Sequence, residues 1–144
     1  MKEYKVKVTD SKTEWYNLND ERHREDGPAV ENSDGGKSWY INGKCHREDG
    51  PAVENSDGNK YWYINGERHR EDGPAIEYAD GGKSWYINGK CHREDGPARE
   101  FANGTKHWYI NGERLIETEF NQRTQSCIGK IVEIDGKKYK LNQI

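Results

Sequence analysis

Histidine and carboxylate side chains, which serve proteins as metal ligands and as acid–base groups, recur through this chain at a fixed interval. The string HREDGPA occurs four times without change, beginning at His23, His46, His69 and His92. Each copy places one imidazole and two carboxylates within four residues, which is the chemistry of a metal site or of a general acid–base pair. These residues are therefore the first candidates for a reactive centre.

The spacing of the copies argues against both kinds of centre. Successive copies are 23 residues apart, and a repeat that adds two strands to a sheet extends it by about 10 Å. A metal needs its ligands within about 2 to 2.5 Å. A catalytic pair such as Glu48 and Asp49 would normally occur once, in a desolvated pocket, rather than four times. We expect no metal, no cofactor and no catalytic residue, and we interpret these side chains as scaffold in a protein that is not an enzyme.

The cysteines do not predict a redox function either. Cys45 and Cys91 occupy equivalent positions two repeats apart, about 20 Å, whereas the Cα atoms of a disulfide lie within about 7 Å. We interpret both as semi-buried fillers, and we expect Cys127 in the tail to be exposed. Unpaired thiols are typical of a reducing compartment, so we expect a cytoplasmic protein.

A Trp-Tyr pair and two glycine turns in every repeat predict the fold. Asn-Gly follows Trp-Tyr-Ile at Asn42, Asn65, Asn88 and Asn111, and Asn-Gly favours a type I′ hairpin. The second turn, such as Asp57-Gly58, is expected to share that conformation. The segments between the turns, such as KSWYI and AVE, are rich in strand formers. The Trp-Tyr pairs begin at Trp15, Trp39, Trp62, Trp85 and Trp108.

A fixed period of this size is the signature of stacked repeats. We therefore predict an all-β protein, an elongated single-layer antiparallel meander of 23-residue hairpin repeats. Alternation along each strand places Trp39 and Ile41 on one face and Tyr40 on the other. Only 31% of the chain is hydrophobic, so we expect the Trp and Ile row to form the buried stripe, with Tyr on the opposite side beside Arg and Glu.

Three regions follow from the position of the repeats. Residues 1–14 are predicted to form an N-terminal capping strand, and residues 15–114 form the repeat domain. Residues 115–144 are predicted to form a C-terminal cap, with a short helix in LIETEFNQR and a hairpin around Asp135-Gly136. The apolar residues expected to cover the open end of the sheet are Ile131, Val132, Ile134, Tyr139 and Leu141.

The string WYINGKCHREDGPAVE resembles the WYxNGxxHRxDGPAxE repeats of small bacteriophage proteins. The 23-residue period and the Trp/Tyr-plus-Gly hairpins are similar to those of the MORN-repeat group. The resemblance covers about residues 15–114. It implies a one-layer repeat sheet and a phage origin, and it brings no catalytic residues. A polar HREDGPA stands where MORN repeats carry a second glycine cluster, so the lipid binding of some MORN proteins is not carried over.

Net charge and composition limit the classes of partner that the protein is expected to bind. The net charge is -3, whereas proteins that bind nucleic acid usually carry a basic excess. No stretch approaches the roughly 20 apolar residues of a membrane span. Nucleic acid and membrane are disfavoured, which leaves protein surfaces, and Tyr and Arg are enriched where proteins bind each other. The candidate partner-binding residues are Tyr16, Tyr40, Tyr63, Tyr86, Tyr109, Arg47, Arg70 and Arg93.

The function expected is that of a non-catalytic interaction module, encoded by a phage, which binds and inhibits a host protein such as a bacterial defence component. One alternative is a structural or self-assembling repeat protein, which includes a homo-oligomer. Another is a binder of a small ligand, a nucleotide or a glycan, on the repeated surface. Stoichiometry separates them, because a repeated site takes several ligands per chain and an inhibitor forms one defined complex.

Overall fold

The computed structural model describes residues 2–124 and 131–140, which form an antiparallel meander with one short helix. The predicted all-β, single-layer architecture of hairpin repeats with a C-terminal helix is confirmed. In chain order, the elements are β1 (Lys5–Val8), β2 (Lys12–Tyr16), β3 (Val30–Asn32), β4 (Lys37–Ser38), β5 (Tyr40–Ile41), β6 (Lys44–Cys45), β7 (Val53–Glu54), β8 (Lys60–Tyr61), β9 (Tyr63–Ile64), β10 (Glu67–Arg68), β11 (Ile76–Glu77), β12 (Lys83–Ser84), β13 (Tyr86–Ile87), β14 (Lys90–Cys91), β15 (Arg99–Glu100), β16 (Lys106–Ile110), β17 (Glu113–Leu115), α1 (Glu117–Thr124), β18 (Ile131–Ile134) and β19 (Lys137–Lys140).

Eleven of the strands form one main sheet that keeps chain order from edge to edge, β1-β2-β3-β4-β7-β8-β11-β12-β15-β16-β17. The pairs β5-β6, β9-β10 and β13-β14 are separate short hairpins, one in each central repeat. Backbone bonds join neighbouring hairpins, since Gly66 N donates to Cys45 O at 2.8 Å and Arg47 N donates to Tyr63 O at 3.1 Å. Each central repeat therefore contributes two strands to the main sheet and one short hairpin to a second row, which consists of these hairpins.

Tryptophan marks the point where the chain passes from the main sheet into a hairpin. The expectation of one strand through KSWYI is wrong in the central repeats, where β8 ends at Tyr61 and β9 begins at Tyr63. Trp62 N donates to Ala75 O at 2.8 Å, and Trp62 O accepts from His69 N at 3.1 Å. Because its two backbone groups bond to different segments, the residue joins the two parts of the repeat without belonging to either ladder. In β2 and β16 the strand runs unbroken through the tryptophan.

The two turns of each repeat have different conformations. Asn65 and Gly66 both have positive φ, 50° and 83°, so the type I′ turn predicted from Asn-Gly is confirmed. In the second turn only the glycine is left-handed, with a φ of 94° at Gly58. There Gly58 N donates to Asn55 O at 3.0 Å, which closes a turn over residues 55–58, and the Asp57 carboxylate accepts a hydrogen bond from Asn59 N at 2.9 Å. The expectation that both turns are alike is therefore wrong.

The most deeply buried residues are alanines rather than tryptophans. Ala29, Ala52, Ala75 and Ala98, one from each HREDGPA copy, are all 0% exposed. The tryptophans are half-buried, so the expectation that their row forms the buried stripe is wrong. A buried cluster lies on the third and fourth repeats and is formed by Ala75, Ile76, Tyr86, Cys91 and Ala98. It includes a tyrosine, so the tyrosine face is packed as well.

The two edges of the main sheet are finished differently. Strand β1 is the outer strand at one edge, where the exposed Val6 and Val8 alternate with Lys5 and Lys7. Lysines on an open edge hinder pairing with another chain. At the opposite edge, α1 packs against β16 and β17, with its Phe120 buried.

The C-terminal hairpin forms as predicted, with β18 and β19 paired around Asp135 and Gly136. The predicted cover of the sheet end by its apolar side chains, and by Leu141, lies outside the described residues. The same holds for the exposure of Cys127.

The burial of the alanines makes a prediction about packing. Replacing Ala75 by Val adds two methyl groups among Ile76, Tyr86 and Trp62, and overpacking a close-packed site costs about 1 to 3 kcal/mol. We expect the Ala75→Val chain to lose that much free energy of unfolding in urea titration. Ala102→Val, at an exposed position, is the matched control and should change stability by no more than about 0.5 kcal/mol.

Candidate functional site

The arginine of each HREDGPA copy lies over the tryptophan ring of its own repeat. The guanidinium carbons of Arg47 and Arg70 are 3.9 and 4.1 Å from the ring centroids of Trp39 and Trp62. The first and fourth repeats have the same contact, between Arg24 and Trp15 at 4.1 Å and between Arg93 and Trp85 at 3.9 Å. A guanidinium over an indole face is favoured by the ring quadrupole and covers apolar surface that would otherwise be wet.

The same guanidinium holds the loop that follows it. Arg70 donates from Nε to the Asp72 carboxylate at 3.0 Å, and from one terminal nitrogen to Pro74 O at 3.1 Å. That nitrogen also lies 3.2 Å from the Glu77 carboxylate in β11. A Cβ on Gly73 would lie 3.0 Å from the guanidinium carbon, so the glycine is required for close approach. The arginine thus ties the HREDG loop to both the tryptophan and the next strand.

The histidines connect one repeat to the next. His46 Nδ1 accepts a hydrogen bond from Asn65 N at 3.0 Å, and the other three histidines accept equivalent bonds from Asn42, Asn88 and Asn111. Because Nδ1 accepts, the proton of the neutral ring is on Nε2. That nitrogen lies 3.6 Å from the Glu48 carboxylate in the second repeat. The histidine lone pair is therefore used in fixing the following Asn-Gly turn.

Between successive HREDG loops the tryptophan face forms three equivalent grooves. The central groove has a volume of about 690 Å³ and a floor of Trp62, Ile64 and His69. Its walls carry four carboxylates, from Glu48, Asp49, Glu71 and Asp72. The neighbouring grooves, of about 540 and 770 Å³, are built from the equivalent residues one repeat earlier and one repeat later.

Three of the groove glutamates are highly exposed. The side chains of Glu48 and Glu71 are 84% and 83% exposed, and that of Glu94 is 78% exposed. Each of these glutamates has a histidine Nε2 at 3.4 to 3.6 Å as its neighbour. The aspartates are also exposed, but each accepts the Nε bond of its arginine, as Asp49 does from Arg47 at 2.9 Å.

The structure divides the predicted partner-binding residues between the two faces. Arg47, Arg70 and Arg93 lie on the tryptophans and are only 22 to 23% exposed. They do not stand beside the tyrosines, and that part of the expectation is wrong. The arginines over the tyrosine rings are Arg22, Arg68 and Arg99, which lie 5.2 to 5.5 Å from Tyr40, Tyr86 and Tyr109. Tyr16, Tyr40, Tyr63 and Tyr109 are half-buried, and Tyr86 is 8% exposed.

The groove carboxylates were missed as binding residues in the sequence. Their repetition led us to interpret them as scaffold, an interpretation that suits the aspartates, which hold the arginines. The glutamates differ from the aspartates in their position in the sequence. Each glutamate lies two residues after a histidine, where its side chain has no arginine to bind. No three His, Cys, Asp or Glu side chains within residues 2–124 and 131–140 are grouped as metal ligands. Across the same residues, no helix has the length and apolar character needed to cross a membrane.

Burial suppresses the reactivity of two thiols. It raises the pKa of Cys45 to about 12. Burial also raises the pKa of the Cys91 thiol, and Arg99 opposes that rise. Each thiol points to the carbonyl of a buried alanine, Cys45 to Ala52 O at 3.8 Å and Cys91 to Ala98 O at 3.9 Å. Both side chains therefore act as packing groups, as the sequence predicts.

Two comparisons with known proteins find no match. No protein-family model matches the chain, and no curated protein is significantly similar to it. The function must therefore be argued from the two faces of the sheet.

The arginine contacts make a prediction about stability. Lysine in place of Arg70 keeps the charge but loses the guanidinium contact with the Trp62 ring and the bonds to Asp72 and Pro74. We expect Arg70→Lys to lower the free energy of unfolding by about 1 to 2 kcal/mol, measured in urea. Arg114→Lys, at an exposed position, is the control. An equal effect of the two substitutions would contradict the role given to the guanidinium.

The thiols provide a second prediction. Because reagents attack the thiolate, a pKa of about 12 for Cys45 leaves roughly one thiol in ten thousand ionised at pH 8. In a Cys127→Ser background, we expect a disulfide-exchange reagent to label neither Cys45 nor Cys91 at pH 8, and to label both in urea. Rapid labelling of the folded chain would show that the thiols are not protected.

Proposed function

We propose that the protein is a non-catalytic protein-binding module, and that its partner occupies the row of acidic grooves on the tryptophan face. The observation that carries the proposal is the threefold repetition of one groove with the same lining. A single catalytic site needs one groove, whereas a surface that repeats with the sheet suits a partner that runs along it.

The chemistry of the grooves indicates what the partner carries. The walls present carboxylates that are largely exposed, and the floor is half-apolar, formed by Trp62 and Ile64 in the central groove. A lysine or arginine side chain matches both features, because its aliphatic stem packs on the floor while its cation reaches the carboxylates. Successive grooves are about 10 Å apart, the width of two strands. The partner is therefore a protein surface with cationic side chains at about that interval.

Inhibition of a host protein, such as a bacterial defence component, by a phage-encoded chain is the specific form of this activity that we propose. It rests on the resemblance of the repeat motif to phage proteins and on the net charge of -3, which suits a basic target. Association would be steered electrostatically and would weaken as salt rises. Self-assembly through the β1 edge is less favoured, because both copies would bring Lys5 and Lys7 to the shared edge.

The test is capture of a partner from a bacterial lysate, identification by mass spectrometry and titration with the purified partner. We expect one defined complex whose affinity falls at least about tenfold between low and physiological salt. The triple change Glu48→Gln, Glu71→Gln and Glu94→Gln should weaken it by at least about tenfold as well. This variant keeps every aspartate that binds an arginine, so the loops keep their supports.

The matched control removes three charges from exposed positions outside the grooves, through Glu3→Gln, Asp10→Asn and Glu67→Gln. It should leave the affinity within about twofold. Equal weakening by both triple variants would reduce the effect to net charge and remove the grooves from the interface. Recovery of the chain alone, as a defined oligomer, would favour self-assembly over the proposed module.

A further inference from the structure

A cavity of about 350 Å³ opens on the tyrosine face, at the third and fourth repeats. Its walls include Arg68, Tyr86 and Arg99, and Tyr78 and Phe101 line it as exposed aromatics. Arg68 pairs with Tyr63 across the β9-β10 hairpin, so it shares the face of the tyrosines and lies opposite the tryptophan grooves. This cavity is a different surface from the one assigned to the protein partner.

The cavity lies where the sequence departs from its own repeat. Arg99 stands at the position that carries Val30, Val53 and Ile76 in the earlier copies. Tyr78 and Phe101 stand where those copies carry Asn32 and Asn55. The exposed fractions of Tyr78 and Phe101 are 40% and 43%. A cation and two exposed rings have thus been placed together at one point of a surface that is otherwise repeated.

Arg68 lacks a counter-charge that the equivalent arginine in the first repeat has. Arg22 binds the Glu14 carboxylate at 2.7 and 3.0 Å, and Glu14 is only 2% exposed. Burial raises the pKa of Glu14, but hydrogen bonds from Lys12 and Arg22 outweigh it and hold that pKa below its usual value. In the third repeat, Tyr61 stands at the position of Glu14. Arg68 instead donates to the Tyr63 hydroxyl at 3.3 Å.

Arg99 is also without an anion. It donates to the Tyr86 hydroxyl at 2.9 Å and lies over the Tyr109 ring, 5.2 Å from its centroid. Its Nε is buried and has no hydrogen-bond partner within the described part of the chain. Within residues 2–124 and 135–138, no carboxylate forms an ion pair within 4.0 Å with the guanidinium of Arg68 or of Arg99. Two half-buried cations therefore face one tyrosine with their charge uncompensated.

Two carboxylates that line the same cavity are engaged elsewhere. Asp80 accepts a hydrogen bond from Gly82 N at 2.8 Å within its own turn. Glu100 lies 3.5 Å from Arg93, which belongs to the tryptophan face. Lys83 is paired with Glu100, on the opposite side of the strands from Ser84 and Arg99. The cavity lining thus combines the guanidinium groups of Arg68 and Arg99 with aromatic rings, beside two carboxylates that already contact other groups.

We propose that Arg68, Tyr86 and Arg99 form a single binding site for a small anion that carries an aromatic ring, of the size and chemistry of a nucleoside monophosphate. The two guanidinium groups bind the phosphate through nitrogens other than the buried Arg99 Nε. The aromatic ring of the ligand stacks on the side chain of Tyr78 or Phe101. A volume of about 350 Å³ lies at the lower end of the range for small-molecule pockets. Unlike a site repeated along the surface, it takes one ligand per chain.

The test is calorimetric titration of the full chain with AMP, GMP, CMP and UMP, and separately with adenosine and inorganic phosphate. We expect at least one nucleotide to bind saturably with a stoichiometry of one at ligand concentrations up to about 5 mM. Adenosine and inorganic phosphate should each bind at least about tenfold more weakly, because each lacks one half of the recognition.

Three variants return the site to residues found at the same position in other repeats, namely Arg99→Val, Arg68→Cys and Phe101→Asn. Because the fold already accepts these residues, we expect folded chains. Each arginine variant should weaken the nucleotide by at least about tenfold. Phe101→Asn should weaken the nucleotide but not inorganic phosphate. The control is Arg114→Gln, which removes an exposed arginine at the equivalent of Arg68 in the fifth repeat and should leave binding unchanged.

Several results would overturn the proposal. Absence of saturable binding by all four nucleotides is one, and unchanged affinity in both arginine variants is another. A stoichiometry of three or more would indicate a site on every repeat instead. The groove variant Glu48→Gln, Glu71→Gln and Glu94→Gln should bind the nucleotide normally, so failure of this site and failure of the protein-binding surface are distinguishable.

Discussion

The contact between an arginine guanidinium and a tryptophan ring is the interaction on which each of the first four repeats depends. A single-layer sheet has no second layer to cover its apolar rings. In this chain the cover comes from the HREDG loop, whose arginine lies about 4 Å above the indole. The same guanidinium binds the aspartate and the proline carbonyl of that loop. One guanidinium therefore both covers the ring and holds the loop. This explains how a chain that is only 31% hydrophobic forms an ordered sheet.

This arrangement gives the two faces different chemistry. On the tryptophan face the arginines are used internally, and the glutamates next to the histidines remain exposed, so the face presents a regular acidic surface. On the tyrosine face the tyrosines are packed among alanine, isoleucine and cysteine. That face offers binding groups where the repeat is interrupted by Arg99 and Phe101. The repeated acidic grooves and the single cavity thus lie on opposite faces of one sheet.

Repetition makes some positions easy to interpret and conceals others. A residue that recurs in every copy, such as the histidine whose Nδ1 accepts the bond from the next Asn-Gly turn, serves the stacking of the repeats. A residue that differs from its equivalents in the other repeats does not serve this stacking. Arg99 in place of valine or isoleucine puts a charge beside Cys91 and Tyr109, which stacking alone does not require. In a repeat protein, departures from the repeat are therefore informative about ligands.

The sequence by itself determined the period, the Asn-Gly turns, the meander and the C-terminal helix, because these depend on local backbone preferences and on strict recurrence. It did not determine which side of the sheet is covered. The alternation of Trp39 and Tyr40 separates two faces, but burial depends on which distant side chain covers each face, and the arginine that covers Trp39 is eight residues away in a loop. The tertiary structure also decided that the strand changes partner at Trp62, and that Arg22 has a carboxylate whereas Arg68 does not. Such facts require residues from different strands to be brought together in space, and no local pattern contains them.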